Sequence, residues 1–387
     1  MYIAILGRQP EISLAELQCL YGHQKVQRHS KQSAVIDWPD FDFERLGGSQ
    51  KAGRIVLQLA SADWSTLSTK ITQFYLSKWH TIDHKQTLGI SAYDSTLRPD
   101  QLQKLGVSIK QKLKSIGVSV RLVPNKDTAL NTATSHHNKL GLSANRTEIL
   151  IVRGFNGRII VAESIGAQNI TALAARDQAR PHTDAFVGML PPKLARIMVN
   201  CAVGQNHHQN QAVLDPFCGT GVVLQEALLL GYDAFGTDLS DKMVDYSKKN
   251  LQWLEQRFKI DQARRYAVAQ ADATDYQWSD RPTAVASETY LGQPFSAPPS
   301  PAKLREVTGN CNHIISKFLS NLGSQIAANT PLCIAVPAWR STTGSWTHLP
   351  LIGQLDSLGY DKKYDETLLY NRENQVVGRE ILILIKK

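Results

Sequence analysis

The chain has 387 residues, a formal net charge of +9, 42% hydrophobic and 7% aromatic residues. One hydrophobic core seldom serves that length, so two or three domains are expected, and no apolar run approaches the ~20 residues that span a bilayer. The start, Met1–Pro10, lacks a basic leader with a cleavage site, and the cysteines at 19, 201, 218, 311 and 333 have neither disulfide nor zinc spacing. Both point to a reduced, cytoplasmic protein without a structural metal.

The first ~55 residues read strand, helix, strand. Ser13 with Glu16 three residues on has the form of a capping box opening a helix to Tyr21, and Ser33–Trp38 reads as a strand. Further on come a strand at Leu88–Tyr93, an amphipathic helix from Leu102 to Ile116, a strand at Ser119–Val123 and a helix over about 131–140. Glu148–Val152 and Arg158–Ala162 read as a hairpin across Gly154-Phe155-Asn156-Gly157. Residues 101–160 hold ten Lys and Arg against two acids, a net +8 that is nearly the whole excess. A solvated helix face accounts for part of it, but such concentration favours a polyanion partner. Lys110, Lys112, Lys114, Arg121, Lys126 and Lys139 are the candidate nucleic-acid contacts.

A connector follows, and Pro191-Pro192 opens a helix, since proline is tolerated in a first turn. Then the short apolar run Val213-Leu214 ends in Asp215-Pro216-Phe217-Cys218-Gly219-Thr220-Gly221 and leads into an apolar helix. This is strand, tight loop and helix N-terminus, the first unit of a doubly wound α/β sheet whose ligands sit outside the carboxyl ends of the strands. The loop lacks GxGxxG spacing, which argues against a nicotinamide enzyme, and has no Gly-Lys-Ser/Thr for a triphosphate. A second strand, Tyr232–Asp238, ends in an acid about twenty residues after the glycines, where a carboxylate can accept both hydrogen bonds of a ribose diol. A third, Tyr266–Gln270, leads to Asp272 and Ala273, placed for the adenine edge. Each acid alone is more often a cap or a solvated turn; three at successive strand ends point to a nucleoside. Cys218 reads as a small filler.

The loop resembles the first motif, DPFxGxG, of S-adenosylmethionine-dependent amino-methyltransferases. Together with Arg176-Asp177, Arg180-Pro181, Gly188–Ala195 and the tail Tyr370-Asn371-Arg372 to Val377-Gly378-Arg379-Glu380-Ile381, the chain resembles the THUMP-containing tRNA guanosine methyltransferases over nearly its whole length. The resemblance implies an α/β fold with a C-terminal Rossmann-like methyltransferase domain (191–387), a linker (166–190), and an N-terminal α+β region of ferredoxin-like (1–55) and THUMP-like RNA-binding (56–165) parts. It implies S-adenosylmethionine held by Asp215, Pro216, Phe217, Gly219, Gly221, Asp238, Leu239, Asp272 and Ala273. tRNA is the implied partner, the exocyclic amine (N2) of a guanosine is the target, and a small activating subunit is an open question.

One motif departs. The resemblance calls for Asp/Asn-Pro-Pro-Tyr at the fourth strand tip, where this chain has Ser287-Glu288-Thr289-Tyr290. An aromatic amine is a poor nucleophile because its lone pair is delocalised. The acid or amide and the next carbonyl accept its N–H bonds and aim it, while the aromatic residue stacks on the base. Here Ser287 and Glu288 are the candidate acceptors and Tyr290 the stacking residue. Three readings stand: an active enzyme, a changed target atom, or a silent binder of donor and tRNA. A DNA amino-methyltransferase shares the donor motif but not the N-terminal half.

Overall fold

The computed structural model describes residues 1–184, 189–207, 210–279, 281–373 and 375–387. By compactness the chain divides into Met1–Leu14 with Tyr21–Ala172, and Ala15–Leu20 with Leu173–Lys387. Gly188, part of the connector motif, lies outside the described residues.

The first unit, with which helix α1 (Pro10–Tyr21) is only partly counted, holds β1 (Tyr2–Leu6), β2 (Val26–Ser30), β3 (Ser33–Ile36), β4 (Ser49–Leu59), α2 (Trp64–Trp79), β5 (Gln86–Tyr93), α3 (Pro99–Ser115), β6 (Val120–Leu122), α4 (Thr132–His137), β7 (Arg146–Arg153) and β8 (Ile159–Ala167), and its eight strands form one sheet. Its order is β2-β3-β1-β4-β8-β7-β5-β6. The long β4 makes it continuous, pairing antiparallel with β1 on one side and β8 on the other. β5 runs parallel to both of its neighbours. Apolar residues at helical spacing on α2 (Leu67, Ile71, Tyr75) and α3 (Leu102, Leu105, Ile109) pack with Leu88, Ile90, Ile149 and Ile151 of the sheet. The 148–162 hairpin forms as expected.

Ser13 is no cap. Helix α1 starts at Pro10, and the Ser13 hydroxyl, one turn in, donates to the carbonyls of Gln9 (3.1 Å) and Gly48 (2.8 Å). Glu16 is fully buried and accepts from the Asn200 amide at 2.7 Å. The capping-box spacing is satisfied in letters only, because both side chains face inward where tertiary partners outbid a local cap.

In the second unit, α5 (Ile170–Gln178), α6 (Pro192–Val203), β9 (Ala212–Asp215), α7 (Val222–Leu229), β10 (Asp233–Asp238), α8 (Asp241–Arg257), β11 (Tyr266–Gln270), β12 (Ala284–Glu288), α9 (Pro301–Gly323), β13 (Pro331–Arg340), β14 (Trp346–Thr347), β15 (Tyr360–Lys362), β16 (Leu368–Tyr370) and β17 (Val377–Lys386) follow. The sheet runs β11-β10-β9-β12-β13-β17-β15, with β14 beside β13 and β16 beside β17. The first five strands are parallel, and β17 returns antiparallel against β13 over nine residue pairs. Such an order, with α-helical crossovers, is the mixed α/β, Rossmann-like layout expected from the sequence. α9 supplies Ile315, Phe318, Leu319 and Leu322 to a core that includes Leu332, Ile334 and Leu382 of the sheet. All five cysteines are buried free thiols. Among the described residues no helix is long and apolar enough to cross a membrane.

Candidate functional site

The strand order reverses between β9 and β12. The crossover from β9 goes to β10 on one side and that from β11 returns to β12 on the other; in sheets of this kind ligands bind outside the carboxyl ends where the two part. The loop after β9 is shaped for that place. Gly219 (φ 51°) and Gly221 (φ 79°) take left-handed backbone angles that L side chains rarely adopt. A Cβ on Gly221 would stand 2.7 Å from the Ser247 hydroxyl oxygen, so that glycine is required by packing. A Cβ on Gly219 would meet nothing within 4 Å, so that position is open.

Hydrogen bonds tie the loop to the neighbouring tips. The Gly219 N–H donates to Asp238 Oδ2 (2.9 Å), the Ser240 N–H donates to Asp238 Oδ1 (2.9 Å), and the Cys218 N–H donates to the Thr237 carbonyl (2.9 Å). Burial raises the Asp238 carboxyl above its ordinary value, while the two N–H groups pull it back. Asp215 is wholly buried. Desolvation pushes its carboxyl up to about 8, against hydrogen bonds from the Ser287 hydroxyl (2.6 Å) and the Phe217 N–H (3.3 Å). Burial also raises the Cys218 thiol well above its usual value, so it is no thiolate nucleophile.

Of the sequence-predicted donor residues, direct hydrogen bonds join Asp215 to Phe217 and, separately, Gly219 to Asp238, with Pro216 accepting from the Thr237 hydroxyl (3.1 Å). Leu239 follows Asp238, 69% exposed, its carbonyl held by the Gln270 amide (3.1 Å). The Ala271 N–H donates to the Asp238 carbonyl (2.9 Å) and carries Asp272 to the next tip. There Asp272 is exposed and accepts from the Thr274 N–H (2.9 Å), beside a buried Ala273.

Ser287 and Glu288 end β12. Both already have partners: the Ser287 hydroxyl donates to Asp215, and Glu288 forms an ion pair with Arg379 of β17. Burial raises Glu288 and the guanidinium opposes that rise. Thr289 is pinned through its N–H (3.0 Å) and hydroxyl (2.9 Å) to the Ala335 carbonyl, which leaves Tyr290 just beyond the strand with 40% of its surface exposed.

In the first unit, Lys110, Lys112, Lys114, Arg121, Lys126 and Lys139 are all exposed. Lys110, Lys114 and Arg121 share a shallow cleft of about 490 Å³ with Lys85. Lys112 and Lys126 are not among the cleft's lining residues, and neither is Lys139. Sequence reasoning missed three participants. Lys85 lies outside the charge-rich window. Arg379 reaches Glu288 across 91 residues. Asn250 on α8 donates through its amide to the carbonyls of Thr220 and His182 (2.9 Å each) and accepts from the His182 N–H (3.0 Å), binding the connector to the glycine loop. No local pattern marks Lys85 or Asn250, whereas Arg379 stands inside the tail motif 370–381 and only its pairing with Glu288 leaves no trace in the sequence.

Comparison with known proteins gives the following. The N6_N4_Mtase model, described as DNA methylase, matches residues 103–249. The tRNA (guanine(10)-N2)-dimethyltransferase of Methanothermobacter thermautotrophicus is 32% identical over 163 residues, 42% of this chain and 43% of that protein. Its counterpart from Pyrococcus abyssi is 38% identical over 85 residues, 22% of each. The chain thus spans less than half the length of these curated relatives. The crystal structure of TrmN from Thermus thermophilus superposes over 100% of this chain and 99% of its own with a TM-score of 0.52 at 15% identity, a likeness of fold.

Proposed function

We propose that the protein transfers a methyl group from S-adenosylmethionine to the exocyclic amine (N2) of a guanosine in tRNA. The observation that carries this reading is the set of contacts at the β9–β12 strand tips, where an open left-handed glycine, the buried Asp215 and half-buried Asp238 carboxyls and the variant Ser287-Glu288-Thr289-Tyr290 tip come together. The partial identity to tRNA guanine-N2 dimethyltransferases supports the substrate. By the same reading, residues 1–55 are a ferredoxin-like region, 56–165 a THUMP-like RNA-binding domain, 166–190 a linker and 191–387 the catalytic domain.

The residues present suit the donor. Each Asp238 oxygen holds one backbone N–H and keeps a lone pair for a ribose hydroxyl. Open space beside Gly219 lets backbone approach a ligand. When bound, the donor supplies an electrophilic methyl on a sulfonium, which needs no metal. The protein's work is orientation and exclusion of water, worth up to about 7–11 kcal/mol in well-aligned cases. Tyr290 would stack on a base flipped out of its helix. Glu288, paired with Arg379, would accept an N–H of the amine. The Ser287 oxygen, its hydrogen committed to Asp215, keeps lone pairs for the other.

The test is incubation with tRNA and radiolabelled S-adenosylmethionine, followed by nucleoside mass spectrometry. Label in a methylguanosine supports the reading, and label in another nucleoside moves the target atom. The ion pair at Glu288 favours one second reading, a silent binder of donor and tRNA, because the acceptor is already engaged. That reading predicts tight binding of both ligands with no label. In an active enzyme, Glu288→Gln should lower transfer at least about tenfold with donor affinity intact. This substitution is preferred to alanine, which would enlarge the void beside the buried Arg379. Asp238→Ala should weaken S-adenosylhomocysteine binding by about 1–3 kcal/mol in calorimetry; unchanged affinity removes Asp238 from the ribose role.

A further inference from the structure

Arg180 sits two residues after the end of α5 and is 3% exposed, yet its Nε, Nη1 and Nη2 atoms are all buried without an acceptor. Among the described residues of this unit, the other inward-facing guanidiniums are paired. Arg176 and Arg196 both bind Glu226, and Arg379 binds Glu288. Asp177 lies near enough to attract Arg180 but makes no ion pair with it, and burial lowers the guanidinium's pKa. An ionised group with five donors is expensive to bury unpaired, and such a group is retained where a ligand completes it.

The place says which ligand. The backbone of His182 is clamped by Asn250, whose amide also holds the Thr220 carbonyl inside the glycine loop. The His182 ring stacks on Tyr246 of α8 at 4.6 Å, and Asp184 pairs with Lys242 in the first turn of that helix (2.8 Å). The segment bearing Arg180 is therefore stitched to the edge of the proposed donor crevice. The candidate donor side chains there, Asp215, Asp238 and Asp272, are acids, suited to hydroxyls and positive charge. An amino-acid-bearing nucleoside also carries one carboxylate, which none of them can bind, and a guanidinium fork matches it in two parallel hydrogen bonds.

We infer that Arg180 binds the carboxylate of the donor's amino-acid end. This rests on the donor reading above. The alternative source of a matching oxyanion is an RNA phosphate.

Calorimetry on the full chain separates these. S-adenosylhomocysteine carries the carboxylate, and 5′-methylthioadenosine is the same nucleoside thioether without the amino acid. Arg180→Met should lose about tenfold or more in affinity for the first, keep its affinity for the second within about twofold, and bind tRNA as the parent does. Arg180→Lys should recover part of the loss. Because the apolar variant removes a buried unpaired charge, its ligand-free melting temperature should stay level or rise, which guards against misfolding as the cause. Equal S-adenosylhomocysteine affinity in Arg180→Met overturns the inference alone. Equal loss of both nucleosides overturns it in favour of a pocket-shaping role, and a loss confined to tRNA transfers the anion to phosphate. If the parent protein binds neither nucleoside, the donor reading falls and the inference with it.

Discussion

Asp215 offers the sharpest single-residue test. In the unfolded chain its carboxyl ionises near the ordinary value of about 4, whereas in the native state burial holds the proton on up to about 8. Between those values the folded protein binds a proton that the unfolded chain has lost. Raising the pH through that window therefore removes stability, at most about 1.4 kcal/mol per pH unit, and the effect levels off above about 8. Asp215→Asn keeps an acceptor for the Ser287 hydroxyl and has nothing to ionise. Its urea midpoints at pH 5, 6.5 and 8 should lie on a flatter line than the parent's, with the largest gain at pH 8. Parallel lines would show that Asp215 ionises normally inside the fold. The position of Asp215 was legible in the sequence, since an acid ending a short apolar run before glycines marks a strand tip. Its hydroxyl partner 72 residues away was not, because the β9–β12 neighbourhood follows from strand order and leaves no local trace.

At the scale of elements, the loop and helix after β9 separate two demands on glycine. Gly221→Ala would put a Cβ 2.7 Å from Ser247 besides straining a left-handed angle, whereas Gly219→Ala meets open space and carries the strain alone. Thermal unfolding should find Gly221→Ala the more destabilised, with Gly219→Ala losing about 1 kcal/mol. Donor affinity should fall in Gly219→Ala out of proportion to that modest loss; an unaltered affinity would mean no ligand approaches there. Helices α5, α6 and α7 meet at Glu226, whose carboxylate takes Arg176 (2.6 Å) and Arg196 (2.7 Å) in a buried triad. Glu226→Ala strands two guanidiniums and should cost about 3–5 kcal/mol by denaturant titration. The periodicity of α3 and the two apolar runs of β7 and β8 flanking the turn at Gly154–Gly157 made those elements readable. α1 was misjudged at its start because Ser13 and Glu16 mimic a cap while serving tertiary partners.

For the molecule as a whole, charge is partitioned more clearly than topology was. The cationic stretch read from residues 101–160 lies entirely in the first unit, with nine of its ten basic side chains exposed and Lys85 joining it from β5's approach. If tRNA binds there, replacing Lys110 and Lys114 together by alanine should weaken binding uniformly across tRNAs and reduce the slope of log affinity against log salt by about 2. A filter-binding titration over a salt series reads this directly, and an unchanged slope would place the phosphate contacts elsewhere. What composition could not reveal was the joining of the first eight strands into one sheet, because that depends on β4 pairing both with β1 and with the far more distant β8, Lys51 facing Ala167.

The allocation of Ala15–Leu20 to the second unit has a consequence for how this protein can be made and inherited. During synthesis those six residues leave the ribosome long before the rest of their unit, so the buried Glu16 carboxylate must wait for the Asn200 amide. The unit cannot be copied or excised as a contiguous cassette. A gene fusion or truncation cut near residue 173 would carry away the partners of Asn200 and Tyr364, so recombination that keeps these contacts has to move the N-terminal helix along with the second unit.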